Sequence, residues 1–163
     1  MTLFYDDFEQ PRLGWFFAGN GGFDYGKGLA HKGANNAWVR ASSGWNAINR
    51  FHPVPQRSEC SVAAWLRLSD TLTDGYFSVR GAPQLNGDGP IITEQKLVGP
   101  GRANPANGNY NKYLLRFNSA GYSRILIYVG LWGVGRDAWI QIDGLEIRDP
   151  SVRIDEGTAL NPV

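Results

Sequence analysis

The sequence predicts an all-β fold, a two-sheet sandwich of the jelly-roll or immunoglobulin-like kind, on three observations. Its 21 Gly and 9 Pro punctuate the chain at short intervals, and aromatic residues make up 13% of it, which suits short strands joined by turns. The segment 113–148, YLLRFNSAGYSRILIYVGLWGVGRDAWIQIDGLEIR, has a strand period of two, with Ile125, Ile127 and Val129 alternating with Arg124, Leu126 and Tyr128. Along the whole chain about nine such runs alternate with turn signals, and none carries the period of an amphipathic helix.

Taken in order, the elements follow from local chemistry. Residues 4–9 form an aromatic strand whose end carries Asp6, Asp7 and Glu9, and Pro11 stops it by removing a ladder donor. Residues 14–28 interleave Trp15, Phe16, Phe17, Phe23 and Tyr25 with glycines, so they form strand and turn rather than helix. A polar bend spans 29–36. Two runs carrying Trp38, Arg40, Trp45, Ile48 and Phe51 are split by Ser42, Ser43 and Gly44, a hairpin signal, and Pro53 and Pro55 end the second. Residues 61–68, SVAAWLRL, form an apolar strand; a loop at 69–75 brings back 76–81 as its expected neighbour. Turn formers then dominate to residue 112, interrupted by a short run at 91–98 and ending in a surface loop at 99–111. Within 113–148 three strands are expected, separated by a turn at 119–121 and by a two-glycine loop at 131–137. One domain is expected over 1–150, followed by a polar tail at 151–163.

Charge and cysteine content narrow the function. Sixteen Lys and Arg against fifteen Asp and Glu leave a net charge of +1, too small by itself to point to a nucleic-acid surface, and no nucleic-acid partner is expected. The single cysteine, Cys60, forms no internal disulfide and is expected to fill a strand. No run of 18 apolar residues exists, so no membrane association is expected, and no basic region followed by an apolar stretch opens the chain as an export signal. No enzymatic activity is expected, because His31 and His52 stand in turns and no nucleophile elbow, zinc spacing, Walker loop or dinucleotide glycine pattern occurs.

The order DDFE, GW, glycine bend, SSGWNAI, SVAAWLRLS, DGYFSVRG, YLLRF, IYVGLWG and AWIQIDGLEI resembles carbohydrate-binding modules of the four/nine-type and twenty-two-type families over residues 4–148. The resemblance implies a galactose-binding-like jelly roll. It implies a non-catalytic, lectin-like role as part of a larger secreted enzyme or assembly, with a carbohydrate ligand, and therefore an extracellular setting. It further implies that the first and last strands lie side by side and share a structural calcium ion. Glu9 and Asp143 match as its side-chain ligands, with backbone carbonyls from the bend at Lys32 to Asn35 and Asp7 as a weaker candidate. Such modules often carry Asp-Asp where this chain has Asp143-Gly144.

Sugar recognition needs indole or phenol faces for ring C–H groups and polar partners for hydroxyls. The residues that offer both are Trp45 with Asn46 beside it, Trp132 between glycines, and Arg80, Arg116, Tyr76 and Gln95. Trp15, Trp65 and Trp139 sit among apolar neighbours and are expected in the core, with Trp38 a closer case. Two readings follow: a sugar-binding module, or a structural or protein-interaction sandwich on the same scaffold.

Overall fold

The computed structural model describes residues 1–83 and 89–149 and builds them into nine antiparallel strands. These are β1 (Thr2–Asp6), β2 (Trp15–Ala18), β3 (Gly21–Tyr25), β4 (Asn35–Pro53), β5 (Glu59–Leu68), β6 (Gly75–Gly81), β7 (Ile91–Leu97), β8 (Asn111–Asn118) and β9 (Arg124–Arg148). A 3₁₀ turn at Pro105–Asn107 lies in the loop before β8.

Two strands are far longer than the usual five or six residues: β4 has 19 and β9 has 25. They pair with each other from Ala37 opposite Ile142 to Pro53 opposite Arg124, and each half of the pair belongs to a different layer. Around the half formed by 43–53 and 124–134 the order is β2–β4–β9–β6–β7. Around the other half, β3 flanks β4, β5 and then β8 flank one edge of β9, and β1 takes the opposite edge beyond the end of β4. Inward residues of both layers, among them Ile48, Phe77, Val79, Ile127 and Val129 from the first and Val62, Leu66, Leu115, Ile140 and Ile142 from the second, share one buried cluster. At about 1.5–3 kcal/mol for each large side chain fully buried, this apolar layer is the main source of stability. The fold is the expected all-β jelly-roll sandwich, with β1 beside the end of β9.

The spine explains where sequence reading and structure part. Ala41 faces Ala138 but Ser43 faces Val134, so β9 inserts extra residues and the pair bends from one layer into the other. Gly135, at φ 94, lies in that bulge, in a conformation that strains any side chain. The expected hairpin at 42–44 and the expected loop at 131–137 are therefore corrected: both are the bend of continuous strands. Nor do β5 and β6 pair, because both lie on the same edge of β9 in different layers. β1 ends at Asp6 rather than at residue 9, since Phe8 takes φ 63 and donates its N–H to Asp6 Oδ1 at 2.8 Å.

Trp15 packs against the core as expected, but Trp65 and Trp139 do not enter it. Ala64 and Leu66, and Ala138 and Ile140, take the inward positions, so the strand period turns both indoles outward. Cys60 is buried as a strand filler, and burial pushes its thiol up to about 11. The polar tail expected from residue 151 lies outside the described residues.

Candidate functional site: an aromatic cleft

Strand parity builds a cleft on the outer face of the β2–β4–β9–β6–β7 layer. While Ile127 and Val129 point into the core, Leu126, Tyr128 and Trp132 of β9 point out; Trp45 and Asn49 of β4, Tyr76 and Arg80 of β6 and Glu94 of β7 join them. Cross-strand register fixes the neighbours: Trp45 faces Trp132, Asn49 faces Tyr128, and Ser78 faces both Tyr128 and Glu94. The open cleft has a volume of about 430 Å³.

Four aromatic rings form one wall. The Trp45 ring lies 5.3 Å from Trp132, 5.5 Å edge-on from Tyr128 and 6.4 Å from Tyr76. Gly130 makes room for it, because a Cβ there would come within 2.7 Å of the Trp45 ring and of Ala47. Trp132 is 49% exposed, and its backbone N–H donates to the Asp74 carbonyl.

The polar groups of the cleft are held in place by neighbouring side chains and carbonyls. Glu94 Oε2 accepts hydrogen bonds from Ser78 Oγ at 2.6 Å and Tyr128 OH at 3.3 Å. Arg80 donates to the Gly89 carbonyl at 3.1 Å, and its guanidinium lies 5.8 Å from the Tyr128 ring centre. The Asn49 amide donates to the Phe16 and Ala47 carbonyls at 3.4 Å. Tyr76 OH donates to Asp74 Oδ1 at 2.6 Å, and that bond, with a lesser contribution from burial, raises its hydroxyl above the usual tyrosine value. A fixed carboxylate, a guanidinium and an amide beside a ring wall are a donor and acceptor set suited to a polyhydroxylated ring.

Of the residues nominated from sequence, Trp45, Trp132, Tyr76 and Arg80 come together here. Asn46 does not: it is turned inward, its Oδ1 accepting the Asn20 N–H at 2.7 Å and its Nδ2 donating to the Ser43 and Gly44 carbonyls. Gln95 faces Phe77 across β6–β7 and so projects on the opposite side of β7 from Glu94. Arg116 lies exposed in the other layer, opposite Ser61. Sequence reading missed Glu94 and Tyr128 as site residues. Tyr128 was within reach through the parity of 124–129, whereas Glu94 depends on knowing that β7 pairs with β6.

Glu9, Asp143, Lys32 and Asn35 also converge, but through hydrogen bonds. Glu9 accepts the N–H groups of Ala34 and Asn35, each at 2.9 Å, and Asp143 Oδ2 accepts those of His31 and Lys32 at 2.9 and 3.0 Å. Asp143 Oδ1 accepts the Gly144 N–H at 2.8 Å, and Asp7 Oδ1 takes that of Glu9 at 3.0 Å. In this arrangement N–H groups, not carbonyls, of the bend face the two carboxylates, so a calcium ion held there requires the bend to turn its carbonyls toward Glu9 and Asp143. Among the described residues, no group of three or more His, Cys, Asp or Glu gathers as a metal site. Burial pushes the Asp143 carboxyl up to about 6, against the opposing pull of its three N–H donors. Melts with excess calcium and with chelator are expected to share one midpoint; a calcium-dependent rise would mean that the bend turns its carbonyls onto Glu9 and Asp143.

No known family model and no curated protein matches the chain. Solved structures do. The CBM22-1 xylan-binding domain of Paenibacillus barcinonensis Xyn10C superposes with a TM-score of 0.65 at 15% identity, over 91% of this chain and 94% of that one. The C-terminal family 22 carbohydrate-binding module of Clostridium thermocellum Xyn10B gives 0.61 at 16% identity, over 94% and 97%. The K1 cleaved adhesin domain of Lys-gingipain from Porphyromonas gingivalis W83 gives 0.63 at 13%, over 91% and 98%. The likeness is one of fold, and the fold expected from the resemblance to twenty-two-type modules is the fold found.

Proposed function

We propose that the chain is a non-catalytic module that binds a saccharide chain in the cleft. The observation that carries this reading is the wall of Trp45, Trp132, Tyr76 and Tyr128 set against Glu94 and Arg80. Rings supply stacking area for sugar C–H faces, and the carboxylate and guanidinium supply charge-assisted bonds to hydroxyls. Together these give roughly 4–6 kcal/mol, a dissociation constant between tens of micromolar and millimolar, which suits a module that tethers a larger secreted enzyme or assembly to its substrate.

The same lining argues against hydrolysis. Cleaving a glycosidic bond takes two carboxyl groups about 5–9.5 Å apart across the scissile bond. Among the described residues the cleft is lined by one, Glu94, already engaged by Ser78 and Tyr128. Two of the similar folds are a xylan-binding domain and a module with a ligand-binding cleft, which favours this use of the scaffold.

Affinity electrophoresis through gels containing xylan, β-1,4-galactan or mixed-linkage glucan tests the reading. Retardation by at least one polysaccharide, with no release of reducing ends, is the expected result. A folded protein retarded by none of a broad glycan panel would overturn it in favour of a protein-interaction sandwich.

A further inference from the structure

The second layer also turns a hollowed, aromatic surface to solvent, on the side of the sandwich away from the cleft. Across β4 and β9, Arg40 faces Trp139 and Trp38 faces Gln141; across β9 and β5, Gln141 faces Arg67. Parity therefore sets two indoles, two guanidiniums and an amide on one outer face. Two hollows meet at Trp139: one of about 300 Å³ shared with Trp38, Gln141 and Lys27, and one of about 230 Å³ shared with Arg67, Arg102 and Asp70.

Three features of this groove ask for a ligand. Of the indole N–H groups among the described residues, Trp15's alone reaches a protein acceptor, Asp6, so those of Trp38 and Trp139 are open donors on half-buried rings. Gln141 is 8% exposed and lies on the wall of the first hollow; its Oε1 accepts from Arg67 at 3.2 Å, and its Nε2 has no acceptor among the described residues. The charges are unbalanced. Lys27 lies 3.4 Å from Asp24, and Arg40 forms a two-pronged pair with Asp137 at 2.7 and 2.9 Å. Arg67 instead bonds a neutral amide and stands 5.2 Å from the Trp139 ring centre, and neither Arg67 nor Arg102 has a carboxylate within ion-pair distance among the described residues. Against these two cations the second hollow holds one carboxylate, Asp70.

We propose that this outer groove is a second saccharide site and that its ligand carries uronate carboxylates. A pyranose ring has C–H faces for Trp38 and Trp139 and hydroxyl acceptors for their N–H groups and for Gln141. A carboxylate on the same or the next ring meets the guanidiniums of Arg67 and Arg102, whose fork geometry suits it. A neutral chain would leave both cations unmatched. The site stands on residues that the cleft does not use, so one can fail without the other.

Isothermal titration of Trp132→Ala, which disables the cleft, with tetragalacturonate, with glucuronate-substituted xylotetraose and with neutral xylohexaose tests the groove. At least one acidic oligosaccharide is expected to bind this variant, and to bind it more weakly when salt rises from about 0.05 to about 0.5 M as screening grows. Adding Arg67→Gln and Arg102→Gln is expected to weaken that binding about tenfold or more, as lost charge-assisted bonds require. Arg102→Gln alone, in an exposed loop, carries the same expectation in smaller measure if the combined variant folds poorly. Acidic ligands that bind the wild type but not Trp132→Ala occupy the cleft, which overturns the groove and leaves the cleft reading intact. Acidic binding that survives Trp132→Ala and both arginine changes overturns the groove as well, and so does failure of both acidic oligosaccharides to bind the wild type.

Discussion

Trp132→Ala is expected to weaken cleft binding by about one to two orders of magnitude while moving the melting temperature by no more than about 2 °C. The ring is 49% exposed, and its backbone is held by pairing with β4 and by the Asp74 carbonyl, so removing the indole opens no cavity in the core. What it does remove is the outermost plate of the aromatic wall. Trp45→Ala acts differently. That indole lies over Gly130 against Tyr128 and Tyr76, and its loss is expected to abolish binding and also to cost about 1–3 kcal/mol of stability. Glu94→Gln keeps shape and exchanges a charge-assisted acceptor for a neutral one, which is expected to cost about tenfold in affinity with the fold unchanged. Titration calorimetry beside thermal melts separates the three. Wild-type affinity in both Trp132→Ala and Glu94→Gln would mean that the sugar does not lie in this cleft.

How much of this was legible beforehand depends on the range of the physics involved. Strand content came from period and punctuation, which are local, and so did the inward and outward sides of 124–129. The long spine did not. SSG at 42–44 and GVG at 133–135 carry the same glycine signal as a hairpin, and only the pairing of β4 with β9 on both sides of the bulge makes them a bend. The same gap explains the outward indoles. Trp65 and Trp139 have apolar sequence neighbours because those neighbours fill the core, and parity then drives the tryptophans to the other face. Trp45 and Trp132 were nominated on polar or glycine neighbours and do meet, as a cross-strand pair rather than as strand and loop. Glu94, the one carboxylate lining the cleft among the described residues, comes from β7 and enters through long-range pairing with β6. Asn46 shows the limit of sequence adjacency. It neighbours Trp45, and for that reason points the other way.

Asp143→Ala is expected to destabilise the fold by about 3 kcal/mol, the largest loss for any single side chain outside the apolar core. The carboxylate is 2% exposed and reaches from β9 to the bend after β3, where it holds the His31 and Lys32 N–H groups besides that of Gly144. Each buried donor left unpaired costs about 1–3 kcal/mol, and the part-buried pair in the bend falls at the low end. The bend carries further structure: His31 stacks on Trp65 at 4.0 Å and its Nε2 meets Asn107 Oδ1, while Tyr110 OH donates to the Leu29 carbonyl at 2.6 Å. Glu9→Ala releases two more N–H groups from the same bend, at its exposed end, and is expected to cost about 1 kcal/mol. The pH dependence follows from burial. With a folded value of about 6 against 3.8 for the free group, folded Asp143 retains a proton that the unfolded chain gives up. The proton-linked part of its contribution to stability is therefore fullest below about pH 3.8 and is lost as the pH rises through 6. Urea denaturation of wild type and variant is accordingly expected to show a gap that widens, by about 1 kcal/mol, from pH 7 to pH 5. A gap below about 1 kcal/mol at both values would mean that the bend holds without the carboxylate, and a gap that narrows on acidification would mean that the three N–H donors outweigh burial.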